Sequence, residues 1–195
     1  MECAIPCLDP PDARVPEWRM DLLAHAAYGV TFCSRTGLAG GANGPSGPAA
    51  RCRLLDWTAW AAALFGILPD VLSMGPAFVV FATGGMRGNF FRDMPPESLA
   101  CYHWTHSLIV ALAAAGLLRL AWKPVFIPSL AWPLHVLMDA WTHGAGRFRT
   151  PIFYPLTDWG FEGIRWWQHP GVVLAYWLVL PAFWLALWYW RRKAQ

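Results

Sequence analysis

The sequence predicts an all-α fold, an integral membrane bundle of about five helices with short interfacial segments. Of its 195 residues, 56% are hydrophobic and only 14% are charged, which is unusual for a soluble domain. The 20 residues from Gly171 to Trp190 carry no charge and are followed by Arg191-Arg192-Lys193. That length spans the apolar core of a bilayer, and a basic end is typical of a membrane exit. Most of the 14 tryptophans lie near the ends of predicted spans, as in the aromatic belt at a membrane surface.

The N-terminal residues differ in character from the rest of the chain. Residues 1–19 mix charged residues with prolines and contain no apolar run resembling a signal peptide. We expect them to form an irregular, dispensable extension, with Met20 as a candidate initiator. The membrane-embedded helical domain is predicted to comprise residues 20–195.

Apolar runs separated by polar segments predict the individual helices. Residues 37–50, rich in Gly, Ala and Ser, are predicted to be a linker, and Pro69-Asp70 is expected to end the second helix. The short apolar run 74–83 is interpreted as interfacial or re-entrant, because about ten residues are too few to span a bilayer. Pro128 and Pro133 are expected to kink the fourth helix. The predicted helices are roughly 20–34, 54–69, 106–122, 125–142 and 171–190, with loops at 84–96 and 144–170.

Alternation of these helices through the membrane brings five of the six histidines and several aspartates to one side. The positions concerned are Asp21, His25, Asp70, His103, His106, His135, Asp139, His143 and Asp158. Eight lysines and arginines fall on the opposite side, against five or seven on the side of the histidines. Because cytoplasmic segments carry more Lys and Arg, this predicts a cytoplasmic C-terminus and the histidines facing outward.

The charge and the cysteine content argue against several classes of function. The net charge is only +3 and the basic residues are scattered, so nothing indicates a nucleic-acid partner. The five cysteines include no C-x-x-C pair, which argues against a disulfide framework or a zinc ribbon. Cys3 and Cys7 could pair in an oxidising compartment.

The most informative stretch lies in the fourth predicted helix, where His135, Asp139 and His143 are spaced at i, i+4 and i+8. Each step of four residues turns a helix by only about 40°, so the three side chains share one face. Two imidazoles and a carboxylate on an apolar helix are costly to bury unless something binds them. A divalent metal such as zinc suits that set of donors.

Each of these positions also has an ordinary structural explanation. His135 could be a hydrogen-bonded core histidine beside a capping Asp139, and His25 alone is more often a core residue than a ligand. Asp70 could do no more than end a helix. A shared site is nevertheless favoured, because several helices would otherwise each need a separate reason for a buried ionisable group on the same side.

Five short motifs are distributed in order along residues 20–190. They are Asp21-Leu22-Leu23-Ala24-His25-Ala26, Ile67-Leu68-Pro69-Asp70, Thr105-His106-Ser107-Leu108, His135-Val136-Leu137-Met138-Asp139-Ala140-Trp141-Thr142-His143 and Phe153-Tyr154-Pro155-Leu156. Together they resemble the membrane-bound metal-dependent hydrolases, also described as LexA-binding, inner-membrane-associated hydrolases. The chain is also loosely similar to the zinc-dependent phospholipase C group. The resemblance implies a metal site formed by His25, Asp70, His106, His135 and Asp139.

Two features depart from the family pattern. Many members have His-Arg ahead of the Thr-His-Ser motif, where this chain has Cys101-Tyr102, so a ligand or a phosphate-binding arginine could be missing. His103 is spaced at i, i+3 from His106 and could chelate with it on a helix, but it matches no motif position. His169, directly before Pro170, is expected to lie in a loop.

The predicted function is metal-dependent hydrolysis, with zinc as the expected ion. A bound metal would lower the pKa of its water toward about 7 and polarise a phosphoryl or carbonyl oxygen. Asp70 or Asp139 is the candidate general base, and His143 and Asp158 are candidates for proton transfer or for supporting the ligands.

The expected substrate is a phospholipid or another amphiphilic phosphoester, because the site is predicted at headgroup level beneath the aromatic loop. Arg147, Arg149 and Arg165 in that loop could hold the phosphate. The alternative is a membrane scaffold or regulatory protein with a structural metal or a buried polar network. An ion or proton transporter is less favoured, because the acidic residues gather at one predicted face.

Overall fold

Helices form all of the regular structure in the part of the chain that the structure describes, and no strand occurs there. The computed structural model describes residues 17–43, 56–144, 146–164 and 168–194, without the side chains of 17–21 and 42–43. The all-α fold class is therefore confirmed. Most of the predicted N-terminal extension lies outside the described residues, but the first helix begins at Glu17 instead of Met20.

Seven helices follow one another along the described residues, with two short 3-10 segments between them. The helices are α1 (Glu17–Cys33), α2 (Trp57–Ala82), α3 (Pro96–Thr105), α4 (Leu108–Ala121), α5 (Phe126–Ser129), α6 (Ala131–Thr142) and α7 (Pro170–Lys193). The 3-10 segments are Leu38–Asn43, after α1, and Lys123–Val125, between α4 and α5.

Two of these helices are long and apolar enough to cross a membrane, namely α2 with 26 residues and α7 with 24. A third span results if α3 and α4, which meet at an angle of 60°, cross together as one bent element. The described part of the chain therefore has two or three candidate spans, fewer than the five alternating crossings expected from the sequence.

Helix α2 is longer than predicted, because it continues through Pro69 and Pro76 instead of ending at Pro69-Asp70. A proline removes one N–H donor, but apolar residues on both sides favour continuation, and membrane helices tolerate such interruptions. The run 74–83 is the second half of α2, so its interpretation as a separate interfacial segment was wrong. The helix ends at Ala82, and Gly84, which follows the C-cap Thr83, has a φ of 78°, the left-handed conformation typical of the residue after a helix C-cap.

Helix α3 was not predicted, and it places His106 in a break between two helices. Pro96 takes the first helical position, where a missing N–H costs no hydrogen bond. The Ser107 hydroxyl accepts a hydrogen bond from the backbone N–H of Val110 at 3.3 Å and thereby caps the start of α4. The backbone N–H of His106 donates to the carbonyl of Tyr102 at 2.8 Å, so this residue is held by the last turn of α3.

The fourth predicted helix, 125–142, is divided into α5 and α6. Pro128 and Pro133 were expected to kink a continuous helix, but each is the third residue of a separate short one. In the first turn of a helix the N–H groups have no partner within the helix, so a proline there leaves no bond unmade. His135 and Asp139 both lie in α6.

Helices α1 and α2 approach each other closely through glycines. A Cβ atom at Gly29 would lie 2.6 Å from the carbonyl oxygen of Ala62. A Cβ atom at Gly66 would likewise lie 2.6 Å from the carbonyl oxygen of His25. Small residues at both positions therefore bring the backbone of α1 against α2 at the level of His25, which positions that imidazole in the interior.

The residues after α1 are bound to the start of α2 by Asp56, the N-cap of that helix. Its Oδ1 accepts from the backbone N–H of Thr58 at 3.0 Å, and its Oδ2 accepts from the hydroxyl of Thr36 at 2.7 Å. Burial acts to raise the pKa of Asp56, but the hydrogen bonds from Thr58 and Thr36 outweigh it and leave the pKa below its ordinary value.

The same segment is bound by Arg191 near the end of α7. Its side chain is 4% exposed, and its guanidinium donates to the carbonyl oxygens of Thr36 at 2.8 Å, Gly37 at 2.7 Å and Gly41 at 3.0 Å. Arg191 is thus an internal structural residue of the bundle, in contrast to the exposed basic end suggested by the sequence.

Candidate metal centre

Five of the predicted ionisable residues meet in the interior of the bundle. His25 comes from α1, Asp70 from α2, His106 from the break between α3 and α4, and His135 and Asp139 from α6. The three histidines and Asp139 are at most 2% exposed, whereas the side chain of Asp70 is 20% exposed. The chain therefore buries a mixed His/Asp cluster with one partly open edge.

One donor atom from each of Asp70, His106, His135 and Asp139 lies within 4.8 Å of the other three. Nε2 of His106 is 3.1 Å from Nε2 of His135, 3.3 Å from Asp70 Oδ1 and 3.2 Å from Asp139 Oδ2. Nε2 of His135 is 3.2 Å from Asp139 Oδ2 and 3.8 Å from Asp70 Oδ1. Nitrogen and oxygen ligands about 2.0–2.1 Å from a tetrahedral metal are about 3.3 Å apart, so these separations fit a single coordination sphere.

Hydrogen bonds on the far side of two imidazoles fix their tautomers. Nδ1 of His135 is 2.7 Å from the carbonyl oxygen of Gly66, and Nδ1 of His106 is 3.1 Å from that of Tyr102. A carbonyl oxygen can only accept, so each Nδ1 carries the proton and donates it. In the neutral rings both Nε2 atoms then present lone pairs to the cluster, as they do in metal-binding histidines.

The two facing lone pairs require a positive charge between them. Acceptor atoms 3.1 Å apart, beside two carboxylates, repel one another unless a cation or added protons lie among them. A divalent cation would satisfy all four donors at once, and a set of two imidazoles and two carboxylates suits such an ion. The buried cluster could therefore bind a metal ion through Asp70, His106, His135 and Asp139.

His25 lies beside this set of four donors and faces the other oxygen of Asp139. Its Nε2 is 3.0 Å from Asp139 Oδ1, and its ring lies against that of His135, with the centroids 3.8 Å apart and the planes tilted by 36°. His143, which caps the end of α6, has its Nδ1 3.6 Å from the same Oδ1. The structure thus separates His25 from the four donors with which the motifs had grouped it.

Tyr102 supports His106 in two ways. Its ring stacks on the imidazole with the centroids 3.8 Å apart, and its carbonyl oxygen accepts the Nδ1 proton. The tyrosine hydroxyl in turn donates to the carbonyl oxygen of Phe148 at 2.8 Å. From the sequence, Tyr102 was noted only as a departure from the family pattern. The one signal of this role is its position one helical turn before His106.

The loop residues predicted to serve the reaction are engaged elsewhere. Arg147 donates to the carbonyl oxygen of Met94 at 2.6 Å, and Arg149 donates to that of Asp158 at 2.8 Å. The side chain of Asp158 is exposed, and within the described residues no hydrogen bond or ion pair joins it to the cluster. These contacts give the two arginines a role in ordering the loop, and their binding of a phosphate stays a prediction. Arg165 lies outside the described residues.

Three other sequence candidates are also accounted for. The ring of His103 lies 5.7 Å from that of Tyr154, and His103 is not part of the four-donor group. His169 is exposed and precedes α7, as expected for a loop residue. The side chain of Asp21 lies outside the described part of the chain.

Asp70 and His25 lie near the middle of their helices instead of at one end. Asp70 is the fourteenth of the 26 residues of α2, counting from Trp57, and His25 is the ninth of the 17 residues of α1. The headgroup-level position expected from the sequence rested on a helix ending at Asp70, and α2 does not end there. The outward orientation and the particular membrane stay predictions.

Comparison with known proteins gives no relative from which a role could be transferred. No protein family, curated protein or solved structure matches this chain. The resemblance of its motifs to membrane-bound metal-dependent hydrolases stays a prediction, and the cluster has to be interpreted from its own geometry.

Proposed function

We propose that this chain is a membrane-embedded, zinc-dependent hydrolase that acts on an amphiphilic phosphoester such as a phospholipid. The observation that carries the proposal is the pair of Nε2 atoms of His106 and His135, 3.1 Å apart, with both Nδ1 protons held by backbone carbonyls. Two oriented imidazoles beside two carboxylates form a set of nitrogen and oxygen donors for which zinc is well suited.

The residues of the cluster differ in what they can contribute to hydrolysis. A zinc ion bound there would make hydroxide available near neutral pH and polarise a phosphoryl oxygen. Asp70 has the 20% exposed side chain, so water and substrate would approach beside it. With zinc held by His106, His135 and Asp139 and its fourth position open to water, the unbound Asp70 carboxylate would be the better placed general base. His143 is 15% exposed at the opposite oxygen of Asp139 and could pass protons outward.

Exposed apolar side chains on the helix that carries Asp70 support an amphiphilic substrate. Asp70 is followed on α2 by Val71 and Leu72, which are both 45% exposed. These side chains lie on a candidate membrane span, where an acyl chain can contact them and a fully polar substrate gains nothing. Since Arg147 and Arg149 are bound to backbone carbonyls, contact with the phosphate would fall to the metal centre itself.

A structural metal or a closed polar network in a membrane scaffold is the second candidate function. The near-complete burial of His106, His135 and Asp139 favours it, since structural zinc sites are closed whereas catalytic ones keep a position for water. Cobalt substitution separates the two functions. Four-coordinate spectra that do not change with added phosphate would support the scaffold, and a shift on adding phosphate would support the hydrolase.

The direct test is metal content and activity of the detergent-purified chain. We expect bound zinc, and zinc-dependent cleavage of bis(p-nitrophenyl) phosphate or of phosphatidylcholine in mixed micelles. His135→Ala and Asp70→Ala should abolish cleavage, while His169→Ala, at an exposed position, should retain it. A chain that binds no zinc, manganese or cobalt would overturn the proposal, and bound metal without cleavage of any ester would favour the scaffold.

A further inference from the structure

Six large apolar side chains lie exposed on the last turn of α6 and on the loop between α6 and α7. They are Trp141, Phe153, Leu156, Trp159, Phe161 and Ile164, each between 42% and 81% exposed, and are called the apolar patch below. The ring centroids of Trp141 and Phe161 are 5.6 Å apart, and those of Phe161 and Trp159 are 5.3 Å apart. Trp159 in turn stacks on Phe153 at 5.9 Å. A contiguous exposed patch of this kind marks a surface that contacts a membrane or another protein.

Backbone contacts hold the apolar patch in one arrangement against the end of α6. The N–H of Gly163 donates to the carbonyl oxygen of His143 at 2.9 Å, and the N–H of Ile164 donates to that of Trp141 at 2.8 Å. A Cβ atom at Gly163 would lie 2.5 Å from the Trp141 carbonyl oxygen, so the loop approaches α6 as closely as a glycine permits. An ordered loop therefore presents these side chains outward.

The ends of the two candidate spans define two sides of the molecule. Arg191, near the end of α7, donates to the carbonyl oxygen of Thr36, and the Thr36 hydroxyl donates to Asp56, the N-cap of α2. The last turn of α7 and the first turn of α2 are thus neighbours on one side. When both helices cross a bilayer, the first residue of α7 and the last residue of α2 emerge together on the other side.

The apolar patch belongs to the side where α7 begins. Ile164 precedes Pro170, the first residue of α7, by six positions, and six residues reach at most about 20 Å. The 24 residues of α7 extend about 36 Å, against about 30 Å for the apolar core of a bilayer, so Pro170 lies near the polar boundary. Arg147, at the start of the same loop, donates to the carbonyl oxygen of Met94 in the segment that follows α2. Both ends of the loop are thus connected to the side on which α7 begins and α2 ends.

We propose that the apolar patch is inserted into the headgroup layer of the bilayer and anchors this side of the bundle to phospholipid. Asp158 and Glu162 are exposed beside Trp159 and Phe161, so rings and charges alternate along the loop. Charged side chains are costly in the apolar core, whereas aromatic rings are enriched in the headgroup layer, where polar and apolar groups meet. The inference is independent of the metal centre, because it rests only on the exposed rings and the span ends.

A second copy of the chain, or another protein, is the alternative occupant of the patch. The cores of protein interfaces are depleted of charged residues, whereas Asp158 and Glu162 lie among the rings of the patch. A lipid surface is moreover already present at this level of the molecule, because a candidate span begins there. The observations therefore favour lipid.

The test is fluorine nuclear magnetic resonance on the full chain, labelled with 5-fluorotryptophan and reconstituted in phosphatidylcholine nanodiscs. Trp141→Phe and Trp159→Phe assign the two resonances, and each keeps an aromatic ring at an exposed position. We expect phosphatidylcholine with a nitroxide near its headgroup to remove most of the intensity of both resonances, and a water-soluble gadolinium chelate to leave most of it. Trp132, whose indole N–H donates to the carbonyl oxygen of Thr105 at 2.8 Å, is the control and should respond less to both reagents.

The other outcomes overturn the proposal in different ways. A loss of intensity with the chelate that equals or exceeds the loss with the labelled lipid would show that the patch faces water. Resonances that respond to neither reagent would show that a second copy of the chain covers the patch, and light scattering of the detergent-purified chain would then give the mass of a dimer. None of these results depends on bound metal, so failure here leaves the proposed function to its own test.

Discussion

Nδ1 of His135 donates to the carbonyl oxygen of Gly66 over 2.7 Å, so the backbone of α2 orients an imidazole that belongs to α6. The same glycine lies against α1, where a Cβ atom would be 2.6 Å from the carbonyl oxygen of His25. One close helix contact thus sets the relative positions of the three elements that supply His25, Asp70 and His135.

Replacing Gly66 by alanine should disturb that contact and the cluster together. The added methyl group must push α1 away from α2, and overpacking of this kind costs about 1–3 kcal/mol of unfolding free energy. We expect Gly66→Ala to lower both the melting temperature and the zinc content of the purified chain.

Gly116→Ala in α4 is the matched control for this change. Apart from its own helix turn, no atom lies within 4 Å of a Cβ atom built there, so alanine should stabilise the helix by about 0.5–1 kcal/mol. Equal melting temperatures and metal contents for Gly66→Ala and the wild type would show that the close approach is not required.

Helical periodicity was sufficient to identify the ligands on α6, because His135 and Asp139 lie one turn apart on a single continuous helix. It was not sufficient at Asp70, where Pro69 suggested a helix end. A proline in a helix leaves the carbonyl group four residues earlier without its N–H partner. Whether the helix ends there depends on which neighbouring groups can bind that carbonyl, and these are tertiary contacts. Gly66 shows the same limit, since its carbonyl oxygen orients a ring 69 residues later in the chain.

Which oxygen of Asp139 each histidine approaches also could not be predicted from the sequence. Motifs grouped His25 with the other ligands because spacing gives the face of a helix but not which carboxylate oxygen a ring approaches. That distinction depends on side-chain rotamers and on the separation of α1 from α6. The helix α3 was missed for a related reason, since ten residues of mixed polarity give only a weak periodic signal.

Tyr102 offers a test of how the protein orients His106. Tyr102→Leu removes the ring that stacks on the imidazole, and loss of such a supporting contact typically lowers metal affinity by about 10–100-fold. Tyr102→Phe keeps the ring and loses only the hydrogen bond to Phe148, so its affinity should stay close to that of the wild type. Competition with a chelating dye measures both affinities, and equal losses in the two variants would contradict the stacking role.

The N-cap Asp56 should make the stability of the chain depend on pH in the acidic range. Its pKa is lowered in the folded state, so its stabilising contribution is fully present above the unfolded pKa of about 3.9. The contribution is lost as the pH falls through the lower folded value. We expect Asp56→Asn to be less stable than the wild type near neutral pH, and the difference to shrink below about pH 4.

Thermal unfolding of both proteins across this pH range measures the effect. Thr36→Val, which removes one hydroxyl donor to Asp56 Oδ2, should reproduce part of it. A stability difference between wild type and Asp56→Asn that stays constant down to the lowest pH would contradict the assignment, because protonation of other carboxyl groups affects both chains equally.

The last prediction concerns Arg191 and tests whether this residue stabilises the fold through its hydrogen bonds or only through its positive charge at the end of a membrane span. Its guanidinium forms hydrogen bonds with four backbone carbonyls after α1, and two of them belong to the buried residues Thr36 and Gly37. Lysine keeps the charge but cannot reach several acceptors with a planar fork of donors. Each buried carbonyl left without a partner costs about 1–3 kcal/mol, so Arg191→Lys should lower the melting temperature markedly.

The neighbouring Arg192 is exposed and stacks on Trp188 at 3.8 Å, so Arg192→Lys serves as the control with the same change of charge group. If the two lysine variants melt at the same temperature, Arg191 acts only through its charge, and its hydrogen bonds to the segment after α1 do not stabilise the fold.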